Sequence, residues 1–533
     1  MPNRAPAPDG PPRAPRREPA NSRPATPAPA DWRARLLAEV PRQAAGEAAP
    51  NRLRWPGYAG TPAVWWGAGP VAGVDCVVAV WEFTVYGGSF GEVDAATFAA
   101  AAGHAAATRR PLLSFLRSGG TRLQEGVAGL VGLSRATLAA AALDEAGVPH
   151  LAIVDHPTTG GVWVTVASQA DLRCAVAGAT VGFAGPRVVE AVTGAAPGTG
   201  SHTADAAWRS GLVDAVADPD GVESWLAAAL TAATARPGPA LTPRPAGDRA
   251  TADEPGPRAE PKPQHLLGPE QGHSDAVDGR GWAQVRAART PGRTDGGAML
   301  DALTPRGVEL AGSDPAVRAR LGLLAESATG PGRPALGIVA VAVAAEPRGA
   351  PGPAGYRLLE RAARLGGKLG LPLVLLVDTP GADPSPRAEA AGVAAAIGAS
   401  MEAVLRCPSP TVSVIVGEGG SGGALAAACA DTVLMTPDSY LTALSPEGAA
   451  ATLRISAQRA ADLGGLRPAD LLRLGFADGV LGSGAPTAVA AGVGAALDRL
   501  VPLDQAIRLS ERRRKWSTAL PGHLYPHGPS YPD

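Results

Sequence analysis

Short apolar runs recur along this chain, separated by longer Ala-rich stretches. In the first half, Val77–Val80, Leu112–Leu116 and Leu151–Val154 are too short for buried helices and rich in branched or large apolar side chains. They read as strands. Between them, Ala95–Thr108, with Asp94 as N-cap, and Leu123–Ala142 read as helices, and a further helix is expected from Gly161. The second half repeats the pattern, with strands at 337–343, 372–377 and 411–416 and helices at 355–368, 388–405 and from Gly422. Regular alternation of strand and helix predicts an α/β architecture.

The repetition extends to single residues. Pro111–Leu116 runs into Ser118-Gly119-Gly120, and Pro372–Val377 runs into Thr379-Pro380-Gly381. Leu151–Val154 leads through Thr158-Thr159 to Gly160-Gly161, and Val412–Val416 leads through Ser421 to Gly422-Gly423. Asp171 is matched by Asp431, and Pro186 by Pro446. Each match is offset by about 260 residues, which predicts two copies of one domain and two related sites.

Composition refines this outline. Residues 1–30 and 236–263 are crowded with proline and poor in apolar groups, so the first reads as a disordered tail and the second opens an extended linker. The expected units are 31–235, with a short helix leading in, a linker at 236–279, a second domain at 280–505 and a C-terminal tail at 506–533. In that tail, Arg512-Arg513-Arg514-Lys515 reads as a solvated helix end. A net charge of −1 on 533 residues gives no bulk attraction for nucleic acid or an anionic membrane. Cys76, Cys174, Cys407 and Cys429 form no C-x-x-C pair and read as buried thiols, and no zinc site is expected. Neither a secretory signal nor a membrane-spanning run is evident, so the expected location is cytoplasmic.

The candidate chemistry lies in the glycine pairs. Gly160-Gly161 and Gly422-Gly423 each stand where a strand hands over to a helix. The missing Cβ lets a ligand oxygen reach backbone N–H groups at a positive helix end, an arrangement suited to an oxyanion hole. Tight packing of helix on strand is the competing reading for one pair, and its recurrence in both copies argues against it. Gly119-Gly120, with Gly381 as counterpart, offers a second turn beside each hole. Gly417–Gly423 lacks the Gly-Lys-Ser/Thr of a phosphate loop. Ser421 stands in a Gly-Gly-Ser-Gly-Gly context without a supporting His/Asp order, and His156 reads as a turn histidine rather than a base. Oxyanion holes without an evident base or metal suit enolate chemistry.

Three words of the first half, Ser118–Glu125, Pro157–Val162 and Gly182–Val188, resemble the β subunit of bacterial acetyl-CoA carboxylase carboxyltransferase. In the second half, Asp378–Ala382, Gly417–Leu425, Leu444–Gly448 and the lead-in Trp282–Arg293 resemble the α subunit. The resemblance implies two tandem crotonase-like (ClpP/crotonase) domains, β-type then α-type. It implies carboxyl transfer from carboxybiotin on a carrier protein to acetyl-CoA, giving malonyl-CoA for fatty-acid synthesis. By the family pattern Gly160-Gly161 would hold the thioester enolate oxygen and Gly422-Gly423 the biotin ureido oxygen, while the freed biotin nitrogen takes the α-proton. Gly119, Gly120, Arg122, Arg187, Gly381, Gly420 and Ser421 would contact substrate, with Arg122 and Arg187 standing in for scarce lysines at the coenzyme A phosphates. The family site lies between a β-type and an α-type domain, usually of different protomers, so a homodimer with two sites is expected.

The chain departs from the family pattern in lacking the β subunit's four-Cys zinc ribbon, and Asp383-Pro384-Ser385-Pro386 stands where a Tyr/Gly-rich loop is usual. It has no Ala-Met-Lys-Met biotinylation word and no evident ATP-grasp signature, so a separate biotin carboxyl carrier protein and biotin carboxylase are expected as partners. Other readings are a propionyl-CoA or other acyl-CoA carboxyltransferase, a biotin-dependent decarboxylase or transcarboxylase, a non-catalytic assembly subunit, and a crotonase-type hydratase or isomerase using Glu125 or Glu418.

Overall fold

The computed structural model describes residues 32–43, 46–198, 200–235, 280–329, 336–344 and 349–517. The expected tail at 1–30 and linker at 236–279 lie outside the described residues. The first half builds one sheet from β1 (Val64–Val71), β2 (Val74–Trp81), β3 (Leu112–Ser118), β4 (His150–Thr159), β5 (Leu172–Val176), β6 (Val181–Gly182) and β7 (Ala215–Ala217). Its order is β1-β2-β3-β4-β5-β7, with β6 paired to the far end of β4. β1 is antiparallel to β2 and the rest pair in parallel, so central strands are covered on both faces and read as unbroken apolar runs. That is why Val77–Val80 was legible as a strand, while β1, interrupted by Gly67, Gly69 and Pro70, was not.

The second half repeats the sheet with one strand added. It contains β8 (Arg306–Glu309), β9 (Val317–Leu323), β10 (Gly337–Val343), β11 (Leu373–Thr379), β12 (Thr411–Gly420), β13 (Thr432–Met435), β14 (Tyr440–Thr442) and β15 (Gly479–Val480), in the order β15-β13-β12-β11-β10-β9-β8 with β14 paired to β12. β9 to β15 thus match β1 to β7 one for one. The repeated aspartates do the same job: Asp171 accepts the His150 N–H at 2.8 Å, and Asp431 accepts the Thr411 N–H at 2.8 Å. Each pins the start of the central strand. The repeated prolines each open a helix, Pro186–Thr193 and Pro446–Leu453, where a missing N–H costs nothing. These two helices pack against each other across the seam between the halves.

Other elements shift from expectation. The helix over 92–108 starts at Glu92 with Gly91 as N-cap, and Asp94 sits at its third position, accepting the Gly91 N–H at 2.8 Å. The stretch from Leu123 opens with a short 3-10 turn before Val127–Ala146, and 388–405 splits at Gly392 into Pro386–Ala390 and Val393–Leu405. Val127–Ala146 is long and apolar enough to cross a membrane, but 78% of its apolar window is buried inside the protein, as befits a core helix.

One apolar cluster runs unbroken from the first half to the second, including Leu133, Val164, Met401, Ala424 and Trp516. The expected C-terminal tail is in part structured. Gln505–Ser517 forms a helix whose Arg512 is fully buried, not solvated. Its guanidinium meets both carboxylate oxygens of Asp431, at 2.7 and 2.6 Å, and donates to the carbonyls of Cys407 at 2.6 Å and Ser409 at 3.0 Å. Trp516, on the same helix, donates to the Ala430 carbonyl at 2.9 Å, and its own carbonyl accepts from Ser134 of the first half at 3.1 Å. This helix therefore ties both halves together.

Candidate active site

In each half, two neighbouring parallel strands end in small-residue turns. β3 hands over to Gly119-Gly120, and β4 to Gly160-Gly161. The turns lie back to back: a Cβ on Gly160 would fall 2.8 Å from the Gly120 Cα, and Gly160 has a φ of 67°. Only glycine satisfies both demands. The Gly160 N–H is already committed, donating to the carbonyls of Gly182 at 3.2 Å and Phe183 at 2.9 Å. The Gly161 N–H begins a helical turn, where intrahelical acceptors are lacking, and is the donor left for a ligand.

In the second half β12 passes directly into the helix Ser421–Ala428, whose N-terminus no side chain caps. Ser421 has a φ of 58°, the sharp strand-to-helix elbow that presents the following amides. No hydrogen bond links its hydroxyl to a histidine among the described residues. The two Gly-Gly pairs are not equivalent. Gly422 faces a cleft, whereas a Cβ on Gly423 would fall 2.3 Å from the Tyr356 hydroxyl and 2.9 Å from the Ala382 nitrogen. A Cβ on Gly420 would fall 1.8 Å from the Pro380 carbonyl oxygen. Gly423 and Gly420 pack closely on the side where a Cβ would stand, and neither is part of the cleft lining.

The two sets of turns open into one cleft of about 980 Å³. The first half supplies Gly119, Gly120, Gly160, Gly161 and Arg187, and the second supplies Gly381, Ser421 and Gly422. Within the one chain described, both halves line this cleft. Across the seam Glu389 accepts from Trp163 Nε1 at 3.1 Å and from the Phe183 N–H at 2.7 Å, fixing the segment that bears Phe183 in the cleft wall. Burial without a cationic partner pushes its carboxyl up to about 7, against these two donors.

Charges sort into two groups. Arg187 is exposed at the cleft rim, on the first turn of Pro186–Thr193. Arg122 is not available to a phosphate. It is fully buried, 2.7 Å from Asp94 and 3.7 Å from Glu125, and donates to the carbonyls of Thr61 and Ser89. The two basic contacts that the resemblance suggested thus reduce to one at this rim, joined by two that were missed. Arg117 stacks over Phe83 and donates to the His156 carbonyl at 2.6 Å, and both it and His156 line the cleft. Arg289, inside the lead-in segment, pairs with Glu418 at 2.8 Å and Glu447 at 2.7 Å. Burial opposes its charge, but the two carboxylates outweigh it and raise its pKa.

Glu125 and Glu418, the two carboxylates weighed for a hydratase, do not line the cleft, whereas Glu447 does, paired with Arg289. Glu125 is buried, accepting from the Glu92 N–H at 2.6 Å and from the Tyr58 hydroxyl. Glu418 is buried against Arg289 and the Tyr440 hydroxyl, the latter at 2.7 Å. The Asp383–Pro386 loop is self-bracing, since Asp383 accepts the Ser385 N–H at 2.8 Å, and Pro384 reaches the cleft. All four cysteines are buried and unpaired, and burial pushes Cys76 and Cys174 up to about 12.

Comparison with known proteins decides the family. Residues 55–254 match the carboxyl transferase domain, and residues 280–499 match the acetyl co-enzyme A carboxylase carboxyltransferase-like family. A Salinispora tropica protein named acetyl-coenzyme A carboxylase carboxyl transferase subunits beta/alpha is 40% identical over 436 residues, covering 79% of this chain and 73% of its own. This chain is a fused β/α acetyl-CoA carboxylase carboxyltransferase family member. A Parafrankia sp. protein of the same name is 35% identical over 86% of this chain and 78% of its own. Among solved structures, the transcarboxylase 12S hexamer core is similar at 22% identity, covering 89% of each chain with a TM-score of 0.35. Membership makes the chain a biotin-dependent carboxyltransferase with two tandem carboxyl transferase domains. The fold-wide repeat and the glycine turns were the signals in the sequence, whereas Arg117 and Arg289 carried none stronger than their place beside the family words.

Proposed function

We propose that the cleft transfers a carboxyl group from carboxybiotin to the methyl carbon of acetyl-CoA, giving malonyl-CoA, with a biotin carboxyl carrier protein and a biotin carboxylase as partners. The observation that carries this reading is that Gly161 and Gly422 face one cleft from opposite halves of one chain. Carboxybiotin bound there would supply the carboxyl group and, once relieved of it, a ureido nitrogen able to accept the substrate's α-proton.

The chain's own part is to bind and polarise. The Gly161 N–H would donate to the thioester oxygen as deprotonation places charge on it, and the uncapped first turn of Ser421–Ala428 would do the same for the ureido oxygen. Fixed amides in a cleft floored by apolar side chains need no reorganisation as charge develops. Glu447, the glutamate that lines the cleft, is paired with Arg289 at 2.7 Å, which agrees with a proton acceptor supplied by the ligand. Arg187 at the rim would meet the coenzyme A phosphates.

The test is the reverse reaction, malonyl-CoA with free biotin, followed by acetyl-CoA release. Wild-type protein should release acetyl-CoA only when biotin is present. Gly422→Val should lower the rate about 10²–10³-fold. A Cβ there meets nothing closer than Leu133 Cδ1 at 3.6 Å, so the branch point enters without a clash, and folding is checked by circular dichroism. Equal biotin-dependent rates for wild type and a folded Gly422→Val would sink the assignment of that turn, and absence of turnover by wild type would support a purely structural role for the chain.

A further inference from the structure

We propose that Leu133 is the side chain that limits the acyl group to two carbons. The inference rests on the transferase reading and goes to the substrate that the cleft admits. Leu133 lies on Val127–Ala146 and is 1% exposed, yet it reaches the wall of the cleft. Its two terminal methyls stand 2.5 and 2.8 Å from the position a Cβ would take on Gly161. One of them, Cδ1, stands 3.6 Å from the corresponding position on Gly422. One isopropyl group is therefore the apolar neighbour of both turns.

That placement matters because of where the reacting carbon must lie. The thioester oxygen is assigned to the Gly161 turn and the ureido oxygen to the Gly422 turn. The new C–C bond forms between the groups bound there, so the acyl α-carbon sits between the two turns. Any substituent on that carbon has to share the space with the side chain touching both. An acetyl group carries only hydrogens on the α-carbon. A propionyl group adds a methyl, and in a close-packed wall each added methyl needs a vacancy of its own size.

The wall is also stiff. One turn further along the helix, Thr137 donates to the Leu133 carbonyl at 3.1 Å and to Met401 Sδ of the second half at 3.4 Å. The adjacent Ser134 donates to the Trp516 carbonyl at 3.1 Å. The backbone under Leu133 is thus held from the second half on two sides. A larger acyl group cannot make room by moving the helix and must displace the leucine itself.

The experiment compares Leu133→Ala, Leu133→Val and Leu133→Met with wild type by two readouts. The first is the ratio of turnover of methylmalonyl-CoA to that of malonyl-CoA in the biotin-dependent reverse reaction. The second, independent of biotin, is the ratio of dissociation constants for propionyl-CoA and acetyl-CoA by calorimetry. Leu133→Ala should raise the turnover ratio and lower the dissociation-constant ratio, both in favour of the longer acyl group, by about 10–200-fold, the range for one methylene in an apolar pocket. Leu133→Val, which removes less and keeps the fold safer, should shift each ratio in the same sense by less. Leu133→Met, of similar volume, should leave them near wild type. Retained malonyl-CoA turnover with unchanged ratios in Leu133→Val and Leu133→Ala overturns the proposal, as does equal loss of both substrates in a folded variant. Wild type that turns over neither substrate with biotin refutes the transferase reading instead, and the inference falls with it.

Discussion

Replacing Arg512 by alanine tests whether the C-terminal helix is part of the folded unit. In the native chain the Arg512 side chain is 0% exposed and that of Asp431 4%. Their two oxygen contacts are 2.7 and 2.6 Å, and the same guanidinium satisfies the carbonyls of Cys407 and Ser409. Truncation leaves a buried carboxylate with only the Thr411 N–H and hydroxyl as close donors, at 2.8 and 3.0 Å, and Arg508 Nε at 4.0 Å. Removing one partner of a buried pair costs about 3–5 kcal/mol. Arg512→Ala should lose stability by that amount in urea unfolding at neutral pH. Arg512→Ala combined with Asp431→Asn should recover part of it, because the unpaired charge is then gone. A loss below about 1 kcal/mol, the range of an exposed pair, would refute the reasoning and return the segment to the solvated helix end its sequence suggests.

Two further outcomes follow from the seam. The Glu389 carboxyl is raised from 4.5 to about 7, so the native state holds its proton more tightly than the unfolded chain. Its contribution is therefore complete below about pH 4 and is lost as pH rises through about 7. Glu389→Gln should flatten that part of the stability–pH profile relative to wild type in urea titrations between about pH 5 and pH 8, and an unchanged slope would show that the carboxyl is not buried as described. Because one chain supplies both turns, co-expressed Gly161→Val and Gly422→Val chains should be no more active in the reverse reaction than either alone. Recovery of about a quarter of wild-type activity would show sites shared between chains of a symmetric dimer.

Much of this fold was legible because the sequence repeats itself with physical causes intact. Asp171 and Asp431 were visible only as an offset, yet each proves to accept the amide that begins a central strand. Pro186 and Pro446 each open a helix at the seam. Glycine turns were equally visible, but their division of labour was not. How tightly a Gly is packed depends on what stands beyond its missing Cβ. For Gly423 that is the Tyr356 hydroxyl, contributed by a helix some 67 residues upstream. The arginines failed for the same reason. Arg122 and Arg512 look like exposed charge along the chain, and only the folded positions of Asp94 and Asp431 turn them inward. β1 was missed because antiparallel edge strands tolerate glycine and proline that would disqualify a central strand.

The helix Gln505–Ser517 has a consequence for mass action. Two separate subunits would meet at a rate and to an extent set by their concentrations. Here they are one covalent molecule, and the last helix rests on both through Asp431, Ala430 and Ser134. Docking of the halves is then unimolecular, and the chain itself, not the concentration of a second subunit, sets how often they meet. Synthesis delivers them in equal numbers, and dilution does not separate them.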